Sequence, residues 1–312
     1  MRKDRFPSPL SPLTDMFGSA GGVMRDFSTR LSRKVIDSAK IKWGQSPEGQ
    51  SPVKPELRTK SADKIPTQSV SGFTLSLART ADEICEAQRL RYKVFAEEIG
   101  ANIRPSYDDE ARAIDADMFD AYCDHLIVRD NNTEQVIGTY RFLPPDAAKK
   151  IGTFYSESEF FLTRLMPLRE RMVEVGRSCV HQDYRSGPVI MLLWKGIAQY
   201  MQAGGYEYLM GCASISMRDG GHAAASLYQK LAPEHSAGAQ YQVFPRLALP
   251  IDKLDSHLNV DAPPLLKGYL RLGGKICGAP AWDPDFNTAD LLILVSLSGI
   301  NPRYRKHFLG ES

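Results

Sequence analysis

The sequence predicts an α/β fold, a mixed twisted sheet with helices on both faces. Short runs that alternate apolar and polar residues, such as F-T-L-S-L-A at Phe73 to Ala78, read as half-buried strands. Longer apolar stretches, such as I-M-L-L-W-K-G-I-A-Q-Y from Ile190, read as helices and lie between them. A hairpin comes first and a strand–helix–strand–helix–strand succession follows, the order that sets antiparallel neighbours beside a crossover.

Taken along the chain, residues 1–70 form a basic extension rich in Pro, Ser, Gly and Lys that is too interrupted to pack a core. Within it Val23, Phe27, Leu31 and Val35 recur every four positions among Arg and Lys, so a basic amphipathic helix is expected over 22–43. Such a helix suits an anionic membrane surface. Residues 71–312 are expected to form one domain. Thr80 is a plausible N-cap before the helix A-D-E-I-C-E-A-Q-R-L-R-Y-K-V-F, which ends by Gly100. Strands at Asp124–Arg129 and Gln135–Leu143 flank the turn D-N-N-T and make a hairpin. After Pro144 and Pro145 come a short helix, a strand from Val173, a helix to about Gln202, and the strand Y-E-Y-L-M-G-C-A-S. A helix from Ala223 to Leu231, a strand at Tyr241–Leu249, the short helix L-L-K-G-Y-L-R-L and the strand D-L-L-I-L-V-S-L complete the order.

Composition is that of a soluble protein: 312 residues, 43% apolar, 24% charged, net charge +2. The charge is uneven, since residues 1–70 hold thirteen basic against seven acidic side chains, leaving +6 there and −4 beyond. No nucleic-acid partner is expected. The five cysteines are scattered with no C-x-x-C pair and read as reduced core thiols, with Cys179 or Cys212 as a nucleophile the weaker alternative. No metal-ligand spacing, signal peptide or bilayer-spanning run is evident, so a cytoplasmic protein is expected, peripheral on the inner face of the membrane if the basic helix binds there.

The stretch V-E-V-G-R-S-C-V-H-Q-D-Y-R-S-G-P-V, Val173 to Val189, joins a strand to a helix N-terminus, where unpaired N–H groups and the helix dipole favour an anion. Glu174 and Arg177, three apart, should point to opposite sides of a regular strand, but a bulge at Gly176 would bring them to one face. Arg91 and Phe95 lie in one helix, Asp117 and Asp120 precede a strand, and Arg141 ends another. Two acids, three arginines and Glu174 around one sheet suit a zwitterionic substrate with a carboxylate and an amine.

The series R-x-x-x-F (Arg91, Phe95), D-x-x-D (Asp117, Asp120), G-x-x-R (Gly138, Arg141) and E-x-G-R (Glu174, Gly176, Arg177) resembles acyl-homoserine-lactone synthases and related GNAT-fold N-acyltransferases. More closely, C-D-H-L-I-V, V-I-G-T-Y-R-F-L, F-Y-S-E-S-E-F, V-G-R-S-C-V-H-Q-D-Y-R, L-L-W-K-G-I-A-Q-Y, G-C-A-S, K-G-Y-L-R-L-G and D-P-D-F-N-T-A-D, in order from about Phe73 to Phe308, resemble the L-ornithine Nα-acyltransferases of ornithine-lipid synthesis. That resemblance implies a GNAT-like acyl-CoA N-acyltransferase fold. It implies transfer of a 3-hydroxyacyl chain from acyl carrier protein to the α-amine of ornithine, forming lyso-ornithine lipid, with no bound cofactor and the donor carried on phosphopantetheine.

Acetyl-CoA enzymes of this fold usually show R-x-x-G-x-G/A before the helix, whereas the run here is R-S-G-P-V-I from Arg185. Pro188 and Ile190 remove an N–H and add bulk, which suits one phosphopantetheine phosphate better than free CoA. Glu174 is then the expected base and Arg177 its catalytic partner, with Arg91 and Phe95 on the substrate side. Arg141 or Arg177 would hold the substrate carboxylate and Asp117 or Asp120 the distal ammonium. Cys179, Val180, Arg185, Ser186 and Gly187 would cradle the carrier arm. The rivals are a synthase of another N-acyl amino acid or of a lactone-type signal, and a non-enzymatic, membrane-associated, hemolysin-like binding protein.

Overall fold

The computed structural model describes residues 65–300 other than 186. The helix expected at 22–43 and Ser186 lie outside the described residues. The strands are β1 (Gln68–Val70), β2 (Phe73–Leu77), β3 (Ser106–Tyr107), β4 (Ala113–Ile114), β5 (Asp124–Asp130), β6 (Val136–Leu143), β7 (Phe160–Phe161), β8 (Met172–Val180), β9 (Tyr208–Ser216), β10 (Phe244–Pro245), β11 (Lys275–Ile276), β12 (Ala281–Asp283) and β13 (Thr288–Ser296). The α-helices are α1 (Ala81–Tyr92), α2 (Pro145–Ile151), α3 (Pro188–Gly204), α4 (His222–His235) and α5 (Pro264–Arg271). Nine strands share one sheet in the order β1-β2-β5-β6-β8-β9-β13-β11, with β12 also on β13.

The expected α/β sheet is therefore present and mixed: β8 and β9 run parallel, and the other pairs are antiparallel. Alternation along β5 divides the core. Leu126 and Val128 pack with Val189, Leu192 and Leu193 of α3, whereas Ile127 packs with Ala87 and Leu90 of α1. Helices thus cover both faces. Thr80 caps α1 as expected: its side chain accepts from the Glu83 N–H, and the Glu83 carboxylate accepts from the Thr80 N–H. The hairpin β5–β6 turns at the expected D-N-N-T.

Three elements differ from expectation. Buried Ile65 and strand β1 place the start of the packed body before residue 71. Helix α1 does not run on to Gly100 as an α-helix; after Tyr92 it becomes a π-helical turn, Lys93–Glu98. The strand expected at Tyr241–Leu249 reduces to β10, which pairs only with β7, outside the large sheet. Pro245 and Pro250 lack an N–H, and residues 239–241 wind as a 3₁₀ turn instead.

Candidate active site

Strands β8 and β9 are in register at Met172, Val173 and Glu174 only; beyond Glu174 they separate. A cavity of about 120 Å³ occupies the opening, lined among others by Phe95, Arg141, Tyr155, Glu174, Gly176 and Arg177. Two glycines shape it. A Cβ on Gly211 would sit 2.5 Å from the Val175 carbonyl oxygen, so the apex can close only on a residue without a side chain. A Cβ on Gly176 would meet nothing within 4 Å, so this glycine leaves empty space along the cavity wall.

The bulge in β8 is real but lies one residue later than expected. Opposite β6, Arg141 faces Gly176 and Thr139 faces Cys179, so Arg177 and Ser178 together oppose Tyr140. Arg177, not Gly176, takes the left-handed conformation, φ +50°. Side chains there cost of order 1 kcal/mol or more, and such strain persists only where the surroundings impose it. The surroundings are two aromatic rings, with the guanidinium 5.0 Å from the Tyr155 centroid and 4.5 Å from that of Phe286. Its Nη2 lies 3.3 Å from Asp117 and its Nε 3.2 Å from Asp115. The bulge thus brings Arg177 and Glu174 to the same cavity.

Glu174 is 4% exposed. Tyr155 N–H donates to its Oε2 at 2.6 Å, and Ser156 N–H to its Oε1 at 2.7 Å, with the Ser156 hydroxyl donating to the same oxygen. Burial pushes the carboxyl above its ordinary range; these hydrogen bonds pull the other way without cancelling it. Each carboxylate oxygen has two lone pairs, so Oε1 is filled and Oε2 keeps one for an incoming proton.

The other charged positions form a buried network. Arg91, 0% exposed, grips both oxygens of Asp120 at 2.8 and 2.9 Å and bonds Asp115 through Nε at 2.8 Å. Arg141 donates to Asp117 at 2.7 Å and to Asp120 at 2.9 Å, with its guanidinium 5.9 Å from the rings of Phe119 and Tyr155. Burial alone would raise the Asp120 pKa, but Arg91 and Arg141 hold that carboxyl well below the ordinary range. Three arginines and three aspartates balance. Arg91, Asp117 and Asp120 do not line the cavity, while Arg141 and Arg177 do. The distal-ammonium role expected of Asp117 or Asp120 therefore meets carboxylates already paired with protein cations. Phe95 does reach the cavity, because the π-helical turn presents it edge-on to Phe286, centroids 5.7 Å apart.

The expected carrier cradle lies at the far end of β8. Cys179 and Val180 are buried there and do not line the cavity. Gly187, φ +128°, precedes Pro188 at the first turn of α3. Arg185 donates to the Val180 carbonyl at 3.0 Å and pairs with Glu98, with 40% of its side chain still exposed. The Cys179 and Cys212 thiols are pushed up by burial, against a nucleophilic role for either.

Sequence reasoning missed Asp115, Tyr155, Ser156 and Phe286, and above all the acids Glu159, Asp283 and Asp290, all three of which line the cavity. Asp283, Phe286 and Asp290 did lie in the string D-P-D-F-N-T-A-D that helped carry the resemblance, which gave them no role, and Asp290 also stood out as a carboxylate opening an otherwise apolar strand. Donor atoms of Glu159, Cys212 and Asp290 lie within 4.8 Å of one another, the one such grouping among the described residues able to hold a metal ion.

A family model described as an acetyltransferase (GNAT) domain matches residues 90–195. An L-ornithine N(alpha)-acyltransferase of Rhodobacter capsulatus is 37% identical over 250 residues, 76% of this chain and 94% of that one. One from Rhizobium meliloti is 35% identical over 253 residues, 77% and 85% of the two chains. The chain belongs to the L-ornithine N(alpha)-acyltransferase family. It is accordingly an acyltransferase of GNAT fold, and the family's GNAT segment runs from the end of α1 into α3, through Arg91, Arg141, Glu174 and Arg177. Among solved structures the AHL synthase LasI matches with a TM-score of 0.43 and 13% identity, covering 77% of this chain and 96% of that one.

Proposed function

We propose that the protein transfers a 3-hydroxyacyl chain from acyl carrier protein to the α-amine of ornithine, giving lyso-ornithine lipid. The observation that carries this reading is the presence, in one cavity at the β8–β9 splay, of a buried carboxylate with an unused lone pair and two guanidinium groups. The acyl thioester lies along the open edge of β8, beside Gly176. The free amine attacks the thioester carbonyl carbon, its proton passes to Glu174 Oε2, and the tetrahedral adduct expels the phosphopantetheine thiolate, which takes up that proton. Because a thioester is already activated, the gain comes from proximity and proton removal, and no covalent enzyme intermediate is needed. Arg141 or Arg177 receives the substrate carboxylate. Arg91, Asp115, Asp117 and Asp120 hold those two arginines in place from behind.

Arg185, exposed enough to reach a phosphate, and the first turn of α3 receive the carrier arm. The R-S-G-P-V-I turn favours one phosphate over a pyrophosphate. Purified protein incubated with 3-hydroxyacyl carrier protein and ornithine, lysine, glutamine, glycine or S-adenosylmethionine, with products identified by mass spectrometry, tests the reading. The expected product is N-acyl ornithine, formed at least about tenfold faster from the carrier thioester than from the matching CoA thioester. Acylation of a different amine in preference, or an indifferent donor choice, would overturn the corresponding half.

A further inference from the structure

The arginine network leaves three cavity acids out of its balance. Asp290 is 3% exposed and its Oδ1 lacks a well-formed hydrogen bond, as do both buried carboxylate oxygens of Glu159; their polar neighbours are each other, the Ser214 and Thr288 hydroxyls and the Cys212 thiol, none of them a cation. Asp283, opposite Thr288 in the β12–β13 pair, accepts from the Asp285 and Phe286 N–H groups and stands beside them. Among the described residues none of the three forms a salt bridge. Arg177, near enough for its charge to be felt at Asp290, makes its ion pairs with Asp115 and Asp117 instead. Burial pushes all three carboxyls up, Asp283 to about 6, and the neighbouring Asp290 adds repulsion at Glu159 and Asp283.

An uncompensated buried carboxylate costs several kcal/mol unless a cation or a proton meets it. Groups lining a cavity can be met by a ligand. Arg141, Arg177 and Glu174 line the same cavity, so a molecule held by its carboxylate and α-amine at those groups has the three acids within the same enclosure to receive its side chain. We infer that Glu159 and Asp290, with Asp283 at their side, form the site that binds the side-chain ammonium of the amino-acid acceptor and so select a cationic amino acid over a neutral one. This rests on the ornithine reading and supplies the residues of selectivity that Asp117 and Asp120, paired with arginines, do not.

The test compares kcat/KM for ornithine and for norvaline, which has the same carbon chain without the ammonium, using the full-length protein and a fixed 3-hydroxyacyl carrier protein. Wild type is expected to prefer ornithine by at least about a hundredfold, since a neutral side chain leaves the acids unpaired. Glu159→Gln and Asp290→Asn are each expected to raise KM for ornithine about tenfold or more while kcat changes less, and to shrink the ornithine-to-norvaline ratio by a similar factor. Equal use of the two amino acids by wild type, which needs no variant to fold, overturns the inference. Equal losses on both substrates in the variants do the same, because they mean a structural or catalytic role. So does a stoichiometric divalent metal in the purified protein that Glu159→Gln removes, since the cation would then be the metal. Failure to acylate ornithine at all would instead sink the proposed function, and this inference with it.

Discussion

Glu174 shows how one buried residue links stability to chemistry. Its carboxyl is raised by burial, and around it lie Tyr155, Ser156, Arg141, Cys123 and Cys212, of which only Arg141 is cationic. A raised pKa means that the folded chain binds this proton more tightly than the unfolded chain. The associated stability is present at low pH and is lost as pH rises through the folded-state value. The proposed mechanism needs the opposite state, with Glu174 ionised to act as the base. Turnover should therefore climb with pH through a range above that of ordinary carboxylates. Glu174→Gln should lower kcat by about 10²- to 10⁴-fold, the usual worth of a positioned base, and flatten that acid limb. A pH–rate profile of wild type and variant decides it; an unchanged limb in the variant would assign the titration to another group.

At the scale of elements, the site is a defect in a regular sheet: one parallel pair that stops after three residues and one bulge beside it. Gly211 sets the apex. Gly211→Ala forces β9 away from the Val175 carbonyl, a backbone group that cannot swing aside. Overpacking of this kind costs about 1–3 kcal/mol, so the denaturation midpoint should fall and acylation with it. A variant with wild-type midpoint and rate would mean that the splay has slack. What the sequence disclosed follows the same division. The Thr80 cap, the D-N-N-T hairpin and the helix after Pro188 were legible because each depends on residues within a few positions of one another. The bulge was legible only in part: Gly176 attracted attention as the flexible residue, while the ion pairs and rings that hold Arg177 at positive φ come from distant segments. The β10 region misled because its alternation persists through Pro245, where no ladder N–H exists. Glu159, Asp283 and Asp290 lay in two strings that carried the resemblance but could not be joined as one site, since it takes the pairing of β12 and β9 with β13 to bring the two aspartates to one cavity.

For the molecule as a whole, the product poses a problem of location. Joining a long acyl chain to an amino acid makes an amphiphile, which must leave the cavity for a bilayer. Among the described residues no helix is long and apolar enough to cross a membrane. Charge offers another route, since residues 1–70 carry +6 and the remainder −4. Each basic side chain near an anionic surface contributes about 1 kcal/mol, an attraction that decays over a Debye length of about 8 Å in physiological salt. The full-length protein should therefore sediment with vesicles containing phosphatidylglycerol, not with phosphatidylcholine alone, and should release as salt rises. Deletion of residues 1–64 keeps every strand of the large sheet and should abolish sedimentation while sparing turnover of soluble donor and ornithine. A truncated protein that is folded by circular dichroism and still binds anionic vesicles would place the membrane contact on the acyltransferase body, and the basic extension would need another role.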